Sequence, residues 1–163
     1  MRLKDKTALV TGGGSGFGAG IARKFAAEGA KVFVVDINLD GAQAIADEIG
    51  GIAVACDVSN AESVSNLAQN VLLQGTLDIL VNNAGITHLP SAMEDVSEDD
   101  FDRVFNVNMK SVYLTAKAFV PHFKDRKGGA ILNVASTAGV SPRPRLNWYN
   151  ASKGWMITAT KTM

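Results

Sequence analysis

The sequence TGGGSGFG, Thr11 to Gly18, links a short β-branched run, TALVT (Thr7 to Thr11), to a stretch with helical apolar spacing, Phe17 to Glu28. A loop with so little side chain lets backbone N–H groups approach a pyrophosphate, and the helix N-terminus adds positive potential. The alternative is a turn whose glycines serve packing alone. Because the loop follows a predicted strand and opens a predicted helix, the context favours dinucleotide binding, although the spacing is T-G-x-x-x-G-x-G rather than G-x-G-x-x-G.

Short apolar runs of this kind alternate with helical stretches along the chain. The runs are Thr7 to Thr11, Lys31 to Val35, Ile52 to Cys56, Leu77 to Val81 and Ala130 to Ala135, and the helical stretches are Phe17 to Glu28, Gly41 to Ile49, Ala61 to Gln74 and Glu98 to Lys124. Nearly continuous apolar strands are typical of sheets buried on both faces. We therefore expect a doubly wound, Rossmann-type α/β fold with a parallel sheet, in a single domain spanning residues 1–163.

The composition argues for a small-molecule partner. Sixteen basic and sixteen acidic residues give no net charge, so the chain has no electrostatic footprint for nucleic acid or for a membrane surface. No run approaches the roughly 18 apolar residues of a membrane span, and one cysteine makes no internal disulfide. We expect a cytoplasmic location. With two histidines, His88 and His122, the usual zinc spacings are absent, so no metal is expected, and His122 is predicted at the exposed end of a helix.

Asp36 ends the second predicted strand, at the edge of the sheet where ligands bind in such folds. Its carboxylate is placed to accept hydrogen bonds from the adenine ribose hydroxyls, and its charge would repel a 2′-phosphate. Ile37, rather than an arginine, follows it. The cofactor predicted from these residues is NAD. The alternative is that Asp36 caps the next helix.

Five further motifs follow in order: CDV at 56–58, NNAG at 82–85, NMKS at 108–111, ASTAG at 135–139 and YNASK at 149–153. Together with the glycine loop they resemble the short-chain dehydrogenase/reductase family, and the resemblance covers the whole chain. It implies an oxidoreductase that transfers a hydride between NAD(H) and a secondary alcohol or ketone. Ser15 supports NAD, because NADP-preferring members of that family tend to carry a basic residue at its position.

The resemblance also implies a set of site residues. Those expected to bind the cofactor are Gly12, Gly14, Ser15, Gly16, Phe17, Gly18, Asp36, Asp57, Val58, Asn83, Ala84 and Gly85, with Tyr149 and Lys153. Those expected to act in catalysis are Asn108, Ser136, Tyr149 and Lys153. By this resemblance Ser136 orients the substrate oxygen, Asn108 holds a water that links Lys153 to solvent, and Lys153 also holds the nicotinamide ribose.

The spacing of Tyr149 and Lys153 has its own physical reading. Residues four apart lie on one face of a helix. Free tyrosine loses its proton only at about pH 10, so an ammonium one turn away would help the phenolate form and let it act as a base. The alternative is an ordinary amphipathic helix surface, where a tyrosine and a lysine often have this spacing. Likewise, Ser136 alone would be a cap and Asn108 a buried polar group.

Two loops are expected to face the substrate: ITHLP at 86–90 and VSPRPRLNW at 140–148. Arg143 and Arg145 would hold an anionic substrate group, or they are solvated loop charges. Trp148 is predicted to form an apolar wall. His88 is placed either on the cleft wall or in an exposed loop.

The sequence stops at Met163, inside the predicted catalytic helix. Proteins of the family continue with further strands and a substrate-covering segment, so we expect this chain to be part of a longer protein. In the family, the helices that hold Asn108 and Tyr149 pack against a neighbouring subunit, which implies a homo-oligomer, a dimer or a tetramer. If the chain is complete, the alternative is a non-catalytic nucleotide-binding or interaction module.

Overall fold

The computed structural model describes residues 1–163, in which five strands alternate with six α-helices. The elements are β1 Thr7–Thr11, α1 Gly16–Ala27, β2 Lys31–Asp36, α2 Leu39–Ile49, β3 Ile52–Ala55, α3 Ala61–Leu73, β4 Ile79–Asn82, α4 Glu98–Phe105, α5 Ser111–Asp125, β5 Ala130–Asn133 and α6 Asn147–Thr160. Two 3-10 turns, Met93–Asp95 and Thr137–Gly139, lie in the loops.

All five strands form one parallel sheet in the order β3-β2-β1-β4-β5. In the central strand, Leu9 pairs with Phe33 on one side and with Leu80 on the other. The chain therefore runs outward from β1 to β3 and then returns to the other side of β1. The point where the strand order reverses is where a doubly wound sheet opens a crevice at its carboxyl edge. The predicted Rossmann-type fold is confirmed.

A hydrophobic core covers each face of the sheet. On one face, α3 and α5 contribute large side chains such as Leu67 and Phe119, which pack with Leu80. On the other, α1 and α2 contribute mostly small side chains, including Ala22 and Ala46, so these helices lie close to the strands. Full burial of a leucine or phenylalanine contributes about 1.5–3 kcal/mol. Burial on both faces explains why the strands are nearly continuously apolar.

The helical stretch predicted from Glu98 to Lys124 is present, but its geometry is not α-helical throughout. A π-helical turn, Asn106–Lys110, separates α4 from α5. A π turn closes i→i+5 hydrogen bonds over a few residues only, and so leaves the apolar spacing of the longer helix nearly unchanged. Such turns are frequent at functional sites, and this one contains Asn108.

His122 lies in the last turn of α5, as predicted, but it is not exposed. Its side chain is partly buried, and its Nε2 lies 3.2 Å from the backbone nitrogen of Leu77. This contact connects α5 with the segment that leads into β4, a long-range relationship that local spacing does not reveal.

Among the helices, none combines the length and apolar character needed to cross a bilayer.

Candidate active site

The loops after β1 and β4 are joined by hydrogen bonds at the point where the strand order reverses. The Oγ1 of Thr11 accepts the N–H groups of Asn83 and Ala84, at 3.0 and 3.1 Å. In return, the Asn83 side-chain amide donates to the backbone oxygen of Thr11 at 2.9 Å and to that of Gly12 at 3.2 Å. The glycine loop and the NNAG segment are therefore held together as the floor of a crevice.

Glycine is required at two positions of this loop for different reasons. Gly12 has φ +62°, a left-handed conformation that side chains disfavour. Gly18 lies in α1 so close to the backbone oxygen of Gly12 that a Cβ would overlap it. The first turn of α1 therefore rests directly on the loop, and Gly16, at φ +52°, has no protein atom within 4 Å of its Cβ direction. Space for a ligand remains on that side.

A first cleft of about 540 Å³ opens at this place. The predicted cofactor residues that line it are Gly12, Ser15, Gly16, Phe17, Asp36, Asp57, Val58, Asn83, Ala84 and Gly85. Gly14 and Gly18 lie behind this wall, in packing contacts. Five further residues complete the lining and were not among the predicted cofactor-binding residues: Ile37, Cys56, Ile86, Arg103 and Val107. Each of the first three is a direct neighbour of a predicted residue, which was the available signal.

The first cleft offers groups of both charges. The Asp36 carboxylate accepts the N–H groups of Gly14 and Asn38, each at 3.0 Å, so each oxygen keeps a further acceptor site. Ser15, also in the wall, is the N-cap residue that precedes α1, and its side chain makes no capping hydrogen bond. The free N–H groups of that first helical turn favour an anion.

A second cleft, of about 700 Å³, contains Ser136, Tyr149 and Lys153 in its wall. Lys153 is buried, and its Nζ donates to the backbone oxygen of Val134 at 2.9 Å. The same Nζ lies 6.0 Å from the centroid of the Tyr149 ring. Burial lowers the pKa of the Lys153 ammonium below its ordinary value. The structure thus brings the predicted phenol, hydroxyl and ammonium to one cleft.

Two glycines allow the turn that carries Ser136 to pack closely against α6. A Cβ on Gly139 would lie 2.8 Å from the carbonyl carbon of Lys153 and 2.9 Å from the nitrogen of Gly154, so the turn after β5 packs directly on α6. The Oγ of Ser136 accepts the N–H of Ala138 at 3.1 Å. Because that bond uses a lone pair, the hydroxyl proton of Ser136 stays free to donate.

Asn108 lies behind the wall rather than in it. Its Oδ1 accepts the N–H of Ile86 at 2.8 Å, and its Nδ2 donates to the Ile86 oxygen at 2.9 Å and to Ser152 Oγ at 3.0 Å. All three side-chain partners are protein atoms, and Asn108 is fully buried. Ser152 was not predicted, although it directly precedes Lys153 in the YNASK motif.

Of the residues expected near the substrate, only some line the second cleft. Arg143 does, whereas Arg145 does not. Trp148 was predicted to form a wall of the cleft and does not, because its ring packs edge-on against Phe101 at 5.4 Å. His88 is buried in its loop, with Nδ1 2.8 Å from the Leu89 oxygen, and is not in the wall either.

The two clefts adjoin, since Phe17, Asn83, Gly85 and Ile86 line both. A ligand that extends from the glycine loop along the carboxyl edge of the sheet would end beside Tyr149. No group of three or more His, Cys, Asp or Glu side chains is arranged to hold a metal ion.

Comparison with known proteins agrees with this geometry. A family model described as short chain dehydrogenase matches residues 6–163. The chain belongs to the short-chain dehydrogenase family.

Individual relatives of this short-chain dehydrogenase cover nearly all of it. A 4-formylbenzenesulfonate dehydrogenase of Comamonas testosteroni is 48% identical over 99% of the chain and 66% of the relative. A crystal structure of 3-ketoacyl-(acyl-carrier-protein) reductase from Brucella melitensis complexed with NADH is 49% identical, with TM-score 0.96 over 98% of this chain and 69% of that one. NAD+-bound xylitol dehydrogenase is 34% identical, with TM-score 0.93 over 99% of this chain and 65% of that one.

The chain spans about two thirds of the length of the curated relatives that it matches. Its family consists of oxidoreductases that bind nicotinamide cofactors and act on small molecules. The first cleft fits such a cofactor on its own geometry. The uncapped start of α1 suits a pyrophosphate, Gly16 leaves room for it, and Asp36 keeps acceptor sites for ribose hydroxyls.

Proposed function

We propose that this protein is an NAD-dependent oxidoreductase that interconverts a secondary alcohol and a ketone, with Tyr149 as the general acid and base. The observation that carries the proposal is the shared cleft. Ser136, Tyr149 and the buried ammonium of Lys153 line one wall, and that cleft adjoins the one formed by the glycine loop.

Each side chain has one task in the proposed reaction. When bound, the nicotinamide accepts or supplies the hydride. Tyr149 takes the hydroxyl proton of the alcohol, or returns one to the ketone oxygen in reverse. The Lys153 ammonium stabilises the phenolate, and this attraction is strong because the group is shielded from water. Ser136 donates its free hydroxyl proton to the substrate oxygen and so holds it beside the phenol.

Asn108 acts from behind these groups. Both Nδ2 protons are already donated, so the side chain retains only an acceptor site on Oδ1 for a water between Lys153 and solvent. Its larger contribution is to hold Ile86, which lines both clefts. We therefore assign Asn108 as a positioning residue with a proton-relay water as its second task.

The preference for NAD rests on Asp36. Its carboxylate stands in the wall of the first cleft, where a 2′-phosphate would be repelled. The one basic residue in that wall, Arg103, pairs with Asp100 at 3.0 Å. The relatives solved with NADH and NAD+ support the same choice.

The relatives support a small-molecule substrate. The related xylitol dehydrogenase and 4-formylbenzenesulfonate dehydrogenase are named for small alcohol or carbonyl compounds, which supports a small-molecule substrate here.

Exposed aromatic side chains occur on three neighbouring helices, at Phe101 and Phe105 on α4, Tyr113 on α5 and Trp155 on α6. Such a surface suits a homo-oligomer, a dimer or a tetramer.

The test replaces Tyr149 by phenylalanine in the protein expressed from its complete coding region. We expect kcat with secondary alcohols and NAD to fall about 100-fold or more, with the Kd for NADH unchanged within a factor of two or so. Tyr113→Phe is the matched control, because Tyr113 is the other tyrosine of the chain and lies exposed on α5. Turnover by Tyr149→Phe equal to that of the control would refute the assignment.

A further inference from the structure

The second cleft has cationic side chains in its wall and no carboxylate. Of its thirteen lining residues, Arg143 and Lys153 carry charge, and neither Asp nor Glu contributes. Lys153 is buried and donates to Val134, whereas Arg143 stands exposed at the rim. A substrate that enters this cleft therefore meets a positive field.

The guanidinium of Arg143 has no partner in the protein. The side chain of this residue makes no ion pair, unlike those of Arg23, Arg103 and Arg126, and the hydrogen bonds of Arg143 involve only its backbone. Five N–H donors in a planar fork are thus free to bind an oxyanion in two-point fashion.

The backbone of Arg143 is held firmly, although its side chain is free. Buried Asn150, on α6 one residue after Tyr149, donates to the Arg143 oxygen at 2.8 Å and accepts its N–H at 3.4 Å. Pro142 and Pro144 flank Arg143 and restrict the dihedral angles on both sides. The Cα of Arg143 is therefore fixed relative to the phenol of Tyr149.

The second cleft also has apolar side chains in its wall. Phe17, Ile86 and Leu146 line the same cleft. We propose that the substrate has an apolar body with the reacting carbonyl or alcohol at one end and an oxyanion group at the other, which Arg143 binds. This inference rests on the proposed function and names the substrate class of that site.

The test compares two ketones with the same ring and the same reacting group, para-acetylbenzoate and its methyl ester, so that the para substituent is a carboxylate in one and an uncharged ester in the other. Their binding to the protein loaded with NADH is followed by cofactor fluorescence, and their reduction by loss of NADH. We expect both affinity and kcat/KM to favour the anion by about tenfold, the scale of one charge-assisted hydrogen-bonded contact. The preference should shrink as salt is added.

Three variants give the inference its controls. Arg143→Gln should remove most of the preference for the anion, leaving only what the charge of Lys153 contributes, and should leave the methyl ester unaffected. Arg143→Lys should restore part of the preference. Arg145→Gln should keep the full preference, since Arg145 is exposed in the same loop but outside the cleft wall. Residue 145 has φ +65°, which is equally unfavourable for arginine and for glutamine, so Arg145→Gln does not change the backbone strain at this position.

The outcomes separate the two proposals. Failure to bind NADH, or NADH binding without reduction of any ketone, would contradict the proposed function and this inference with it. Equal affinity for the two ketones, or a preference that is undiminished in Arg143→Gln, would overturn the inference and leave the proposed function standing.

Discussion

The side chain of Asn108 holds both polar groups of the Ile86 backbone, accepting its N–H at 2.8 Å and donating to its oxygen at 2.9 Å. Asn150 makes the same pair of contacts with Arg143. Two buried amides thus hold two cleft-lining loops against helices. In both cases the side-chain amide supplies the hydrogen-bond donor and acceptor that the backbone of a neighbouring strand would supply.

Loss of the Asn108 amide is expected to affect both stability and activity. Asn108→Ala leaves the Ile86 backbone without these partners, which should lower the free energy of unfolding by about 1–3 kcal/mol. It should also lower kcat, because Ile86 lines both clefts. Urea unfolding and steady-state kinetics measure the two effects. Ser152→Ala, which removes one partner of Nδ2 and leaves Ile86 held, should cost less in both.

Replacement of Asp36 should change the choice of cofactor. Asp36→Ala removes the charge that opposes a 2′-phosphate, so the ratio of kcat/KM for NADP to that for NAD should rise by about tenfold or more. Asp40→Ala is the control, since Asp40 is an exposed acid near the start of α2. A ratio that is the same in both variants would contradict the role assigned to Asp36.

Gly139→Ala should damage catalysis while leaving cofactor binding intact. The added methyl would press on the backbone of Lys153 and Gly154 at less than 3.0 Å, so the Ser136 turn would move away from α6. We expect a loss of about 1–3 kcal/mol in unfolding free energy and a lower kcat, with the Kd for NADH unchanged. Gly128→Ala, where a methyl meets no atom within 4 Å, provides the control.

The buried ammonium of Lys153 should make stability depend on pH in the alkaline range. Burial lowers its pKa from the ordinary value of 10.5, so the unfolded chain binds this proton up to a higher pH than the folded one. Between the two pKa values folding releases a proton, and stability therefore rises with pH as the cost of the buried charge disappears. Below the folded pKa that cost is constant.

Lys153→Met removes this dependence. The difference in Tm between the wild-type protein and Lys153→Met should shift in favour of the wild type as pH rises from 7 towards about 10. Thermal unfolding followed by circular dichroism measures it, and exposed Lys4→Met serves as reference. A difference that stays constant across this range would mean that Lys153 titrates alike in the folded and unfolded states.

The sheet and the glycine loop could be predicted from local sequence pattern, and the spacing of Tyr149 and Lys153 placed them on one helix face. The grouping of Ser136 with these two residues was implied only by the family resemblance. The sequence did not reveal the π turn at Asn106–Lys110, since such a turn hardly alters apolar spacing. The partners of Asn108 lie 22 and 44 residues away, and no local pattern encodes them.

Trp148 shows a different limit of sequence reasoning. It directly precedes Tyr149, yet neighbouring residues on a helix point about 100° apart. While Tyr149 faces the cleft, Trp148 packs on Phe101 of α4. Trp148, which was predicted to line the cleft, therefore packs against an exposed aromatic side chain of α4 instead.

The two clefts share four lining residues, Phe17, Asn83, Gly85 and Ile86. The binding free energies of a dinucleotide and of a substrate are therefore coupled through this shared wall. A dinucleotide in the first cleft covers part of the wall that the substrate meets, and Phe17, which is 86% exposed, has the most surface to lose. If a bound dinucleotide changes the affinity for the substrate by some factor, a bound substrate must change the affinity for the dinucleotide by the same factor, because such coupling is reciprocal. We therefore expect the affinity measured for either ligand to depend on whether the neighbouring cleft is occupied.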